Sequence, residues 1–464
     1  MKRTVVKFGG SVLKSPVNSG MLSRVLDSYQ GPVVVVVSAL FGITDKLSRI
    51  LDRRKLTPPA INALINDIRT VHFELIDALI RKNEKNKMIK QAVSGLLKHL
   101  NDHLTGLMLI GDIPDSSAAY VLSFGEKLSV TVLAAVLERR GKHLTRIDPE
   151  QAGLSARGPM LNASIDFSRS GPALIRSLAG GTDYIIPGFY GVSDMERISV
   201  FGRGGSDYSA AGIAACINAR SCDLWKEVDG FMTADPALVT TASTIPYLSY
   251  GEAAELSYFG AKVTHPESFS AVRSKDIPLR IFSTDRITGT DIPAPSTVIN
   301  SRKERNPTVI KSIAASTGFA LLKIKGAGVG IHPGIISAIS HRFSGAEINI
   351  RSIITSQTTI NFLLGFNDIE CGSAIVRELN IPDIEQIITD KNIALVAAVG
   401  EGFHETYGVA ARILAALSAE RINVSLITAG ASDEAIYVII KKGEYSRAVR
   451  SLHDEFFRDQ RPGQ

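Results

Sequence analysis

The chain of 464 residues has little of what marks disulfide-bonded or metal-binding proteins. It contains only three cysteines, Cys216, Cys222 and Cys371, and they show neither C-x-x-C spacing nor a pattern with histidines that would hold zinc. This predicts no disulfide framework and no metal site built from protein ligands. Free cysteines in an odd number fit a reducing compartment, so we expect a cytoplasmic protein.

The sequence also lacks long apolar runs and blocks of like charge. The longest apolar run, residues 32–40, is too short to cross a bilayer, and the apolar segment behind the basic N-terminus stops at Lys7, too early for a signal peptide. A net charge of +6 without a run of five like charges disfavours nucleic-acid binding. We therefore expect neither membrane nor nucleic acid as a partner, and the basic excess suits small anionic substrates.

What is present indicates a soluble globular protein, since 45% of residues are hydrophobic and 21% are charged, and 464 residues are enough for two or three domains. Val33–Val37 is an unbroken β-branched run, typical of a strand buried on both faces of a parallel sheet. Residues 4–8, 184–187 and 278–282 show similar patterns, with helical patterns between them. The sequence thus predicts an α/β sandwich with a mainly parallel sheet.

The periodicity also predicts how the chain is divided. Residues 1–287 form the α/β domain, and apolar residues at helical spacing predict a helical insertion at about residues 60–110. Residues 288–310 are rich in Pro, Thr, Ser and Asn, which indicates a linker. Beyond it a pattern of strand, glycine turn, amphipathic helix, Asn turn and two strands occurs twice, giving modules at 311–384 and 391–464; a solenoid would need at least three copies.

Glycine turns mark an anion site. In residues 201–207, glycines adjoin Arg203 and Asp207 at the start of an alanine-rich helix that we expect to begin at Ser206, and glycine N–H groups at a helix start bind phosphate or carboxylate. A second turn, Gly9-Gly10, follows Lys7 at the end of strand 4–8. The Walker pattern of P-loop enzymes is absent, so a phosphate site here belongs to another architecture.

Six segments in order across the first 270 or so residues resemble the aspartokinase family. They are KFGGSV at 7–12, FGEKLS at 124–129, PGFYG at 187–191, GRGGSDYSAA at 202–211, VDGFMTADP at 228–236 and LSYFGAKVTHP at 256–266. The resemblance implies an amino-acid kinase domain, a three-layer sandwich, followed by two ferredoxin-like ACT modules. It implies transfer of the γ-phosphoryl group of ATP, with Mg²⁺, to the β-carboxylate of L-aspartate, the first step of lysine, threonine and methionine biosynthesis.

The resemblance also implies a role for individual residues. It assigns catalysis to Lys7 and Asp207; ATP binding to Lys7, Gly9, Gly10, Ser11, Lys226, Glu227, Phe231, Lys262 and Val263; and aspartate binding to Thr44, Glu126, Phe189, Arg203 and Ser206. For the ACT pair it implies an amino-acid effector near Arg351, Ser352, Thr355, Ser356, Gln357 and Ser425, and assembly into a homodimer or larger oligomer.

Each assignment has a structural alternative. Lys7 would otherwise be a strand-end lysine reaching solvent, Arg203 and Lys262 would be surface residues, and Asp207 would complement the helix dipole. Glu126 fits a capping box with Ser123. Likewise, Thr44 would be an N-cap, the glycine pair an ordinary tight turn, and Phe189 and Phe231 core aromatics. His265, which has no companions at metal-ligand spacing, is expected to be structural.

The sequence departs from the family in several places. KFGGSV is one residue shorter than the usual KFGGTSV, Lys226-Glu227 stands where Thr-Asp is common, and Ala237 stands where an arginine near ATP is usual. Two other functions therefore remain open: a related kinase with another carboxylate acceptor, and a weakly active ACT-type regulatory subunit. Arg351 and Ser425 occupy positions where lysine- or threonine-sensitive relatives often have aspartate, so feedback by lysine is not expected.

Overall fold

The computed structural model describes residues 2–13, 16–52, 55–260, 263–287, 291–302, 304 and 309–458, with the backbone alone for residues 16–20. The chain divides into two compact units. The first contains Met1–Phe231, Thr244–Ser257 and Lys262–Glu304, and the second contains Met232–Ser243, Tyr258–Ala261 and Arg305–Gln464. Each unit has its own sheets and hydrophobic core.

The first unit is built on one large sheet. Its strands and those of two small ribbons are β1 (Thr4–Phe8), β2 (Val33–Val37), β3 (Leu144–Arg146), β4 (Ala156–Arg157), β5 (Ser164–Ile165), β6 (Asp183–Pro187), β7 (Tyr190–Val192), β8 (Ile198–Val200), β9 (Ser221–Lys226), β10 (Tyr247–Ser249), β11 (Leu279–Ser283) and β12 (Thr297–Asn300). The eight-stranded sheet has the order β10-β12-β11-β9-β1-β2-β6-β3, and only the β11–β12 pair is antiparallel. The mainly parallel α/β sheet is confirmed.

Helices cover both faces of this sheet. Those up to residue 273 are α1 (Pro16–Asp27), α2 (Ile43–Ile50), α3 (Pro58–Leu79), α4 (Glu84–Ile110), α5 (Asp115–Arg139), α6 (Pro149–Ala152), α7 (Phe167–Ser177), α8 (Gly205–Cys216), α9 (Tyr250–Phe259) and α10 (Glu267–Arg273). Alternate residues of β2, Val33, Val35 and Val37, join one core cluster with residues of α1 to α5. Because side chains alternate along a strand, Val34 and Val36 face the opposite side, where α8 packs.

Two long helices, α3 and α4, occupy the segment in which the helical insertion is predicted. Helix α5 is long and apolar enough to cross a membrane by length and composition, but 72% of its apolar window is buried inside the protein. Such burial is what a core helix of a globular domain shows.

The predicted linker is wrong in part. Residues 297–300 form β12, which pairs with β10 and β11, and Thr297 and Ile299 are fully buried. The strand is short and lies among Pro, Ser and Thr residues typical of a linker. It can be recognised only from the strands with which it pairs. Residues 288–290, 303 and 305–308 of the predicted linker lie outside the described residues.

The second unit contains two four-stranded antiparallel sheets. Its strands are β13 (Ser312–Ser316), β14 (Phe319–Lys325), β15 (Ser352–Thr355), β16 (Thr359–Gly365), β17 (Gln386–Asp390), β18 (Ile393–Val399), β19 (Leu426–Ala429) and β20 (Ala435–Lys441), and its helices are α11 (Ile335–Gly345), α12 (Ile369–Glu378), α13 (Val409–Ala419) and α14 (Tyr445–Phe457). Each repeat has the predicted order of strand, helix, two strands.

The module boundaries differ from the prediction. Strand β13, assigned to the first module, pairs with β18 in the sheet β13-β18-β20-β19, and β17, which lies wholly beyond the predicted end of the first module at residue 384, completes the sheet β15-β16-β14-β17. The first module is thus the continuous stretch from β14 to β17, while the second takes its fourth strand from upstream of the first. The sequence repeat shows which segments are similar, but it does not show to which sheet an edge strand such as β13 belongs.

At Gly125, helix α5 packs closely on the segment after β2. A Cβ on Gly125 would lie 2.8 Å from the Ala39 Cβ, so we expect Gly125→Ala to destabilise the protein by about 1–3 kcal/mol despite the better helix propensity of alanine. The matched control is Gly95→Ala in α4, where a Cβ meets open space, and which should stabilise by about 0.5–1 kcal/mol. Unfolding midpoints in urea measure both, and a rise in both variants would contradict the packing argument.

Candidate active site

The candidate site lies where the parallel strands of the first unit end. Lys7 is the penultimate residue of β1, Ser38 follows β2, Gly188 follows β6, and Lys226 is the last residue of β9. Carboxyl ends of neighbouring parallel strands meet at one edge of a sheet, which is where α/β proteins bind ligands.

Asp207 lies at the centre of this edge and binds two lysines. Lys7 Nζ is 2.5 Å from Asp207 Oδ1, Lys226 Nζ is 2.5 Å from Oδ2, and Thr264 Oγ1 donates to Oδ2 at 3.0 Å. Lys226 Nζ also donates to the Val263 carbonyl oxygen. Lys7 is 5% exposed, so the alternative of a strand-end lysine reaching solvent is excluded.

The charges of this cluster depend on one another. Burial by itself would raise the pKa of the Asp207 carboxyl, but the charges and hydrogen bonds of Lys226 and Lys7 outweigh it and hold that pKa well below its usual range. Burial lowers the pKa of the Lys226 ammonium, and the Asp207 charge opposes this. The cluster of one carboxylate and two ammonium groups carries a net positive charge, which favours a polyanion such as a triphosphate.

The start of α8 places Asp207 in this position. Gly202 and Gly204 have φ values of 72° and 79°, a left-handed conformation that favours glycine, and the helix begins at Gly205, one residue before the predicted Ser206. From Gly205 to Ala215 every residue of α8 is buried, because small side chains allow close packing. The N-terminal turn therefore brings its N–H groups and Asp207 to the strand ends.

The glycine turn after β1 packs against two neighbouring strand ends. Gly9 N donates to the Trp225 carbonyl oxygen at 3.1 Å. A Cβ on Gly10 would lie 2.8 Å from the Ala39 carbonyl oxygen, so the close approach requires glycine. Ser11 begins a short 3₁₀ turn, Ser11–Leu13, beside the Lys7 cluster. Ser11 is half-buried.

Glu126 provides a second buried carboxyl near this cluster. Its Oε1 accepts hydrogen bonds from Ala39 N at 3.1 Å and from Ser206 Oγ at 3.3 Å, while Oε2 is buried with no hydrogen-bond partner among the described residues. Burial raises the pKa of Glu126 to about 8 against the opposing hydrogen bonds and the charge of Lys7. An unpartnered carboxylate oxygen of this kind suits a cationic ligand.

The capping-box alternative for Glu126 is wrong. Helix α5 begins at Asp115, so Ser123 and Glu126 lie in its interior, and the Ser123 hydroxyl donates to the Tyr120 carbonyl oxygen at 2.7 Å. The S-x-x-E pattern occurs by chance inside a longer helix.

Two more predicted substrate residues lie close to Glu126 and Ser206. Thr44 is in the first turn of α2, whose N-cap is Gly42, and a Cβ on Gly125 would lie 3.7 Å from Thr44 Oγ1. Phe189 is a non-glycine residue with a φ of 76°, and its N–H donates to Ser209 Oγ at 2.8 Å. Strained backbone of this kind persists where surrounding contacts impose it, often at functional sites.

Other predicted residues are placed differently. Phe231 is fully buried, packs against Phe269 with ring centroids 6.3 Å apart, and offers no surface to a nucleotide. Arg203 is exposed and Glu227 is half-buried, while Lys262 lies outside the described residues. His265 stacks on Tyr208 at a centroid distance of 5.4 Å, as expected for a structural residue.

The predicted regulatory residues belong to the second unit. Arg351 and Ser425 directly precede β15 and β19, the edge strands of the two small sheets, and the remaining four lie on β15 or the turn after it; these are Ser352, Thr355, Ser356 and Gln357. Gly330 N donates to the Gln357 carbonyl oxygen at 3.0 Å, which ties this turn to the loop before α11.

Comparison with known families gives two matches along the chain. Residues 2–283 match the model of the amino acid kinase family, and residues 396–456 match that of the ACT domain. The chain belongs to the amino acid kinase family. The resemblance to aspartokinases is also confirmed, since similar curated proteins and solved structures carry that name.

This amino acid kinase is 28% identical to a bifunctional aspartokinase/homoserine dehydrogenase of Haemophilus influenzae over 98% of the chain, but it spans only 57% of that protein. It is 26% identical to the chloroplastic aspartokinase 2 of Arabidopsis thaliana, covering 98% of this chain and 84% of the other. Among solved structures, aspartate kinase from Clostridium acetobutylicum matches with a TM-score of 0.77 at 26% identity, covering 98% of this chain and 100% of the other. Aspartokinase III of E. coli, in complex with aspartate and ADP, has the same fold, with a TM-score of 0.85 at 24% identity over 98% and 100% of the two chains.

The residues of this amino acid kinase fit Mg²⁺ only as a companion of a nucleotide. Among the residues that the structure describes, no group of three His, Cys, Asp or Glu side chains could hold a metal ion. Mg²⁺ in phosphoryl-transfer sites uses one or two carboxylates together with substrate phosphates. Asp207 is a carboxylate at this site, but its two oxygens are paired with Lys7 and Lys226, so binding Mg²⁺ would require one of these ion pairs to open.

Sequence reasoning missed three contributors to the site. Thr264 lies inside the LSYFGAKVTHP motif, whose pattern assigns it no role, and Ala39 contributes only its backbone N–H. Ser38 is half-buried between β1 and β2, and its N–H donates to the Phe8 carbonyl oxygen at 3.3 Å. The ends of neighbouring parallel strands could have indicated Ser38 and Ala39, since both directly follow the valine run.

Glu126 should make folding depend on pH. Because its pKa is raised in the folded protein, the folded chain holds this proton more tightly than the unfolded chain, and the stabilisation is lost as the pH rises towards about 8. Between pH 6 and 8.5 we expect a loss of about 2–3 kcal/mol that Glu126→Gln removes. Urea unfolding midpoints at both pH values measure it.

Glu138→Gln is the matched control for this experiment, because Glu138 is an exposed carboxylate on the same helix, paired with Lys85 at 2.9 Å. It should leave the pH dependence unchanged. An equal dependence in wild type and Glu126→Gln would mean that the Glu126 carboxyl is already ionised at pH 6.

Proposed function

We propose that the chain is an aspartate kinase, which transfers the γ-phosphoryl group of ATP to the β-carboxylate of L-aspartate and forms 4-phospho-L-aspartate. The observation that carries the proposal is the pairing of Lys7 and Lys226 on Asp207 beside a buried carboxyl, Glu126, whose Oε2 has no hydrogen-bond partner in the described part of the chain. The two lysines attract phosphates, and the Glu126 carboxyl attracts an ammonium. A kinase for an amino acid needs both in one site. Such an enzyme opens the route to lysine, threonine and methionine.

The comparisons support this substrate. The Clostridium acetobutylicum enzyme, an aspartate kinase, and the plant aspartokinase are similar to this chain over nearly its whole length. The E. coli structure of the same fold holds aspartate and ADP together. ATP and aspartate are therefore the first ligands to test here.

The reaction needs positioning and charge rather than a base. A β-carboxylate is already ionised at neutral pH, so its oxygen attacks the γ-phosphorus directly while the bond to the oxygen bridging the β- and γ-phosphates breaks and ADP leaves. Lys7 neutralises charge on the transferred group, and Asp207 holds Lys7 and Lys226 in place. The N–H groups of Gly10 and Ser11 would donate to the phosphates, whereas the Gly9 N–H is paired with the Trp225 carbonyl oxygen and shapes the turn. Mg²⁺ bound with ATP would supply further positive charge there, with Asp207 as its protein ligand.

The acceptor side uses the groups around Glu126. Its ionised carboxylate would bind the ammonium of aspartate, and Ser206 and Thr44 would add hydroxyl groups. Arg203 is exposed between two glycines, so its planar fork is free to grip the α-carboxylate through two hydrogen bonds. Phe189 closes the site at the end of β6. Val263 and Glu227 remain assigned to the nucleotide side, and Lys262 keeps its predicted role there.

An assay of ADP release with hydroxylamine as a trap tests the proposal. Aspartate should yield a hydroxamate, which reports an acyl phosphate, while glutamate and N-acetylglutamate should not. Turnover with another carboxylate would favour the related-kinase alternative suggested by the short glycine turn. Amino-acid binding without turnover would favour a regulatory subunit.

Lys7→Ala should abolish most turnover and leave aspartate binding largely intact. Loss of a contact made mainly to the transferring group should lower kcat by roughly 10²–10³-fold, or about 3–4 kcal/mol. Steady-state kinetics and calorimetric titration with aspartate measure the two effects separately. Lys90→Ala is the control, because Lys90 forms an ion pair with Asp77 at 2.7 Å outside the site; a Lys7→Ala enzyme with over half of the wild-type kcat would remove Lys7 from catalysis.

The ACT pair is proposed to assemble subunits or to sense a neutral or acidic ligand. Arg351 is half-buried, with its guanidinium carbon 5.1 Å from the Tyr258 ring centroid. The contact with Tyr258 holds a cation at the position where lysine- or threonine-sensitive relatives often have aspartate. Ser425, at the equivalent position of the second module, is exposed and uncharged.

Lysine should therefore inhibit weakly or not at all. A lysine side chain near Arg351 meets a like charge, which costs about 1 kcal/mol or more and lowers affinity about fivefold or more. Arg351→Asp should raise lysine affinity by at least that factor. Activity at saturating aspartate, titrated with lysine, threonine and methionine, measures this, and half-maximal inhibition of the wild type by lysine below about 1 mM would refute it.

A further inference from the structure

Lys226 has contacts that the assignment to ATP binding does not explain. Its ammonium bridges Asp207 Oδ2 and the Val263 carbonyl oxygen, and the next residue, Thr264, donates to the same Oδ2. Helix α8, strand β9 and the segment at 263–264 are thereby joined through one ammonium and one carboxylate. The side chain is 14% exposed, so this junction is largely shielded from water.

The backbone of Lys226 is held firmly from two sides. Trp225 is fully buried, stacks on Phe282 with centroids 4.6 Å apart, and its Nε1 donates to Tyr29 Oη at 3.0 Å. The carbonyl oxygen of Lys226 accepts from Thr284 Oγ1 at 3.1 Å. Because the backbone of Lys226 is fixed, its ammonium is held in one place, as a residue that positions other groups requires.

We propose that Lys226 is a positioning residue that fixes Val263 and Thr264 against Asp207 before the nucleotide binds. Lysine can reach both Asp207 and the Val263 carbonyl oxygen and offers three donors. Ordering this segment in advance removes part of the cost of ordering it when ATP binds.

The proposal rests on the proposed function only in that the site binds a nucleotide. It does not depend on aspartate being the acceptor. Nucleotide affinity and backbone exchange can therefore test it whether or not aspartate is phosphorylated.

The decisive variants are Lys226→Met, which keeps the length of the side chain but removes its charge, and Lys226→Arg, which keeps the charge. Lys90→Met is the control, since it removes one lysine from an ion pair outside the site. Hydrogen exchange of residues 263–273 in the nucleotide-free protein reports on positioning. Fluorescence of Trp225, the single tryptophan of the chain, reports ADP binding.

Lys226→Met should speed exchange in residues 263–273 and weaken ADP binding about tenfold, or about 1.4 kcal/mol. The KM for ATP should rise while that for the acceptor changes less than about twofold, and Lys226→Arg should recover part of each effect. Lys90→Met should change none of them. This split between the two substrates would not arise from general loss of stability.

Unchanged exchange in Lys226→Met with weaker ADP binding would overturn the proposal, because Lys226 would then be a direct phosphate contact alone. Equal or tighter ADP binding would overturn it as well. If Lys226→Met does not fold, Lys226→Thr, which removes the charge with a shorter polar side chain, replaces it with the same expected directions. A failure of aspartate phosphorylation with these ADP effects intact would count against the proposed function and not against this inference.

Discussion

The buried carboxylate of Asp207 is the constraint on which the candidate site depends. A lone charge in this position would be costly, and ion pairs on both oxygens offset that cost only with good geometry. Lys7 must therefore come from the end of β1 and Lys226 from the end of β9, so these strands must lie side by side and parallel, as they do. The glycine-rich start of α8 then has to approach both strand ends closely. Pairing both oxygens of Asp207 with lysines thus requires both the parallel order of β1 and β9 and the close approach of α8.

Two buried carboxyls in one site have opposite properties because their surroundings differ. Asp207 contacts two ammonium groups and stays ionised, whereas Glu126 lies among a backbone N–H, a hydroxyl and apolar atoms, and its pKa rises to about 8. Environment, rather than residue type, thus assigns one carboxyl to organising cations and leaves the other to receive one. A ligand ammonium at Glu126 would restore the ionised form, so binding there is linked to release of a proton.

Much of this arrangement could be predicted from the sequence, because it is encoded locally. The valine run defines β2, and glycines beside Lys7 and Arg203 indicate turns at an anion site. The remainder depends on partners distant in sequence. The pairing of Lys226 with Asp207, the strand β12 within a Pro- and Ser-rich stretch, and the interior position of Glu126 in α5 are each decided by tertiary packing.

The upstream strand of the second ACT module has a mechanical consequence. Because β13 and β18 are neighbours in one sheet, the first module leaves and re-enters that sheet at adjacent strands, through Thr317-Gly318 and Lys391-Asn392. Two links of two residues each, anchored on adjacent strands, hold the start of β14 and the end of β17 beside the second sheet. Any displacement of the first module would therefore pull on β13 and β18 together.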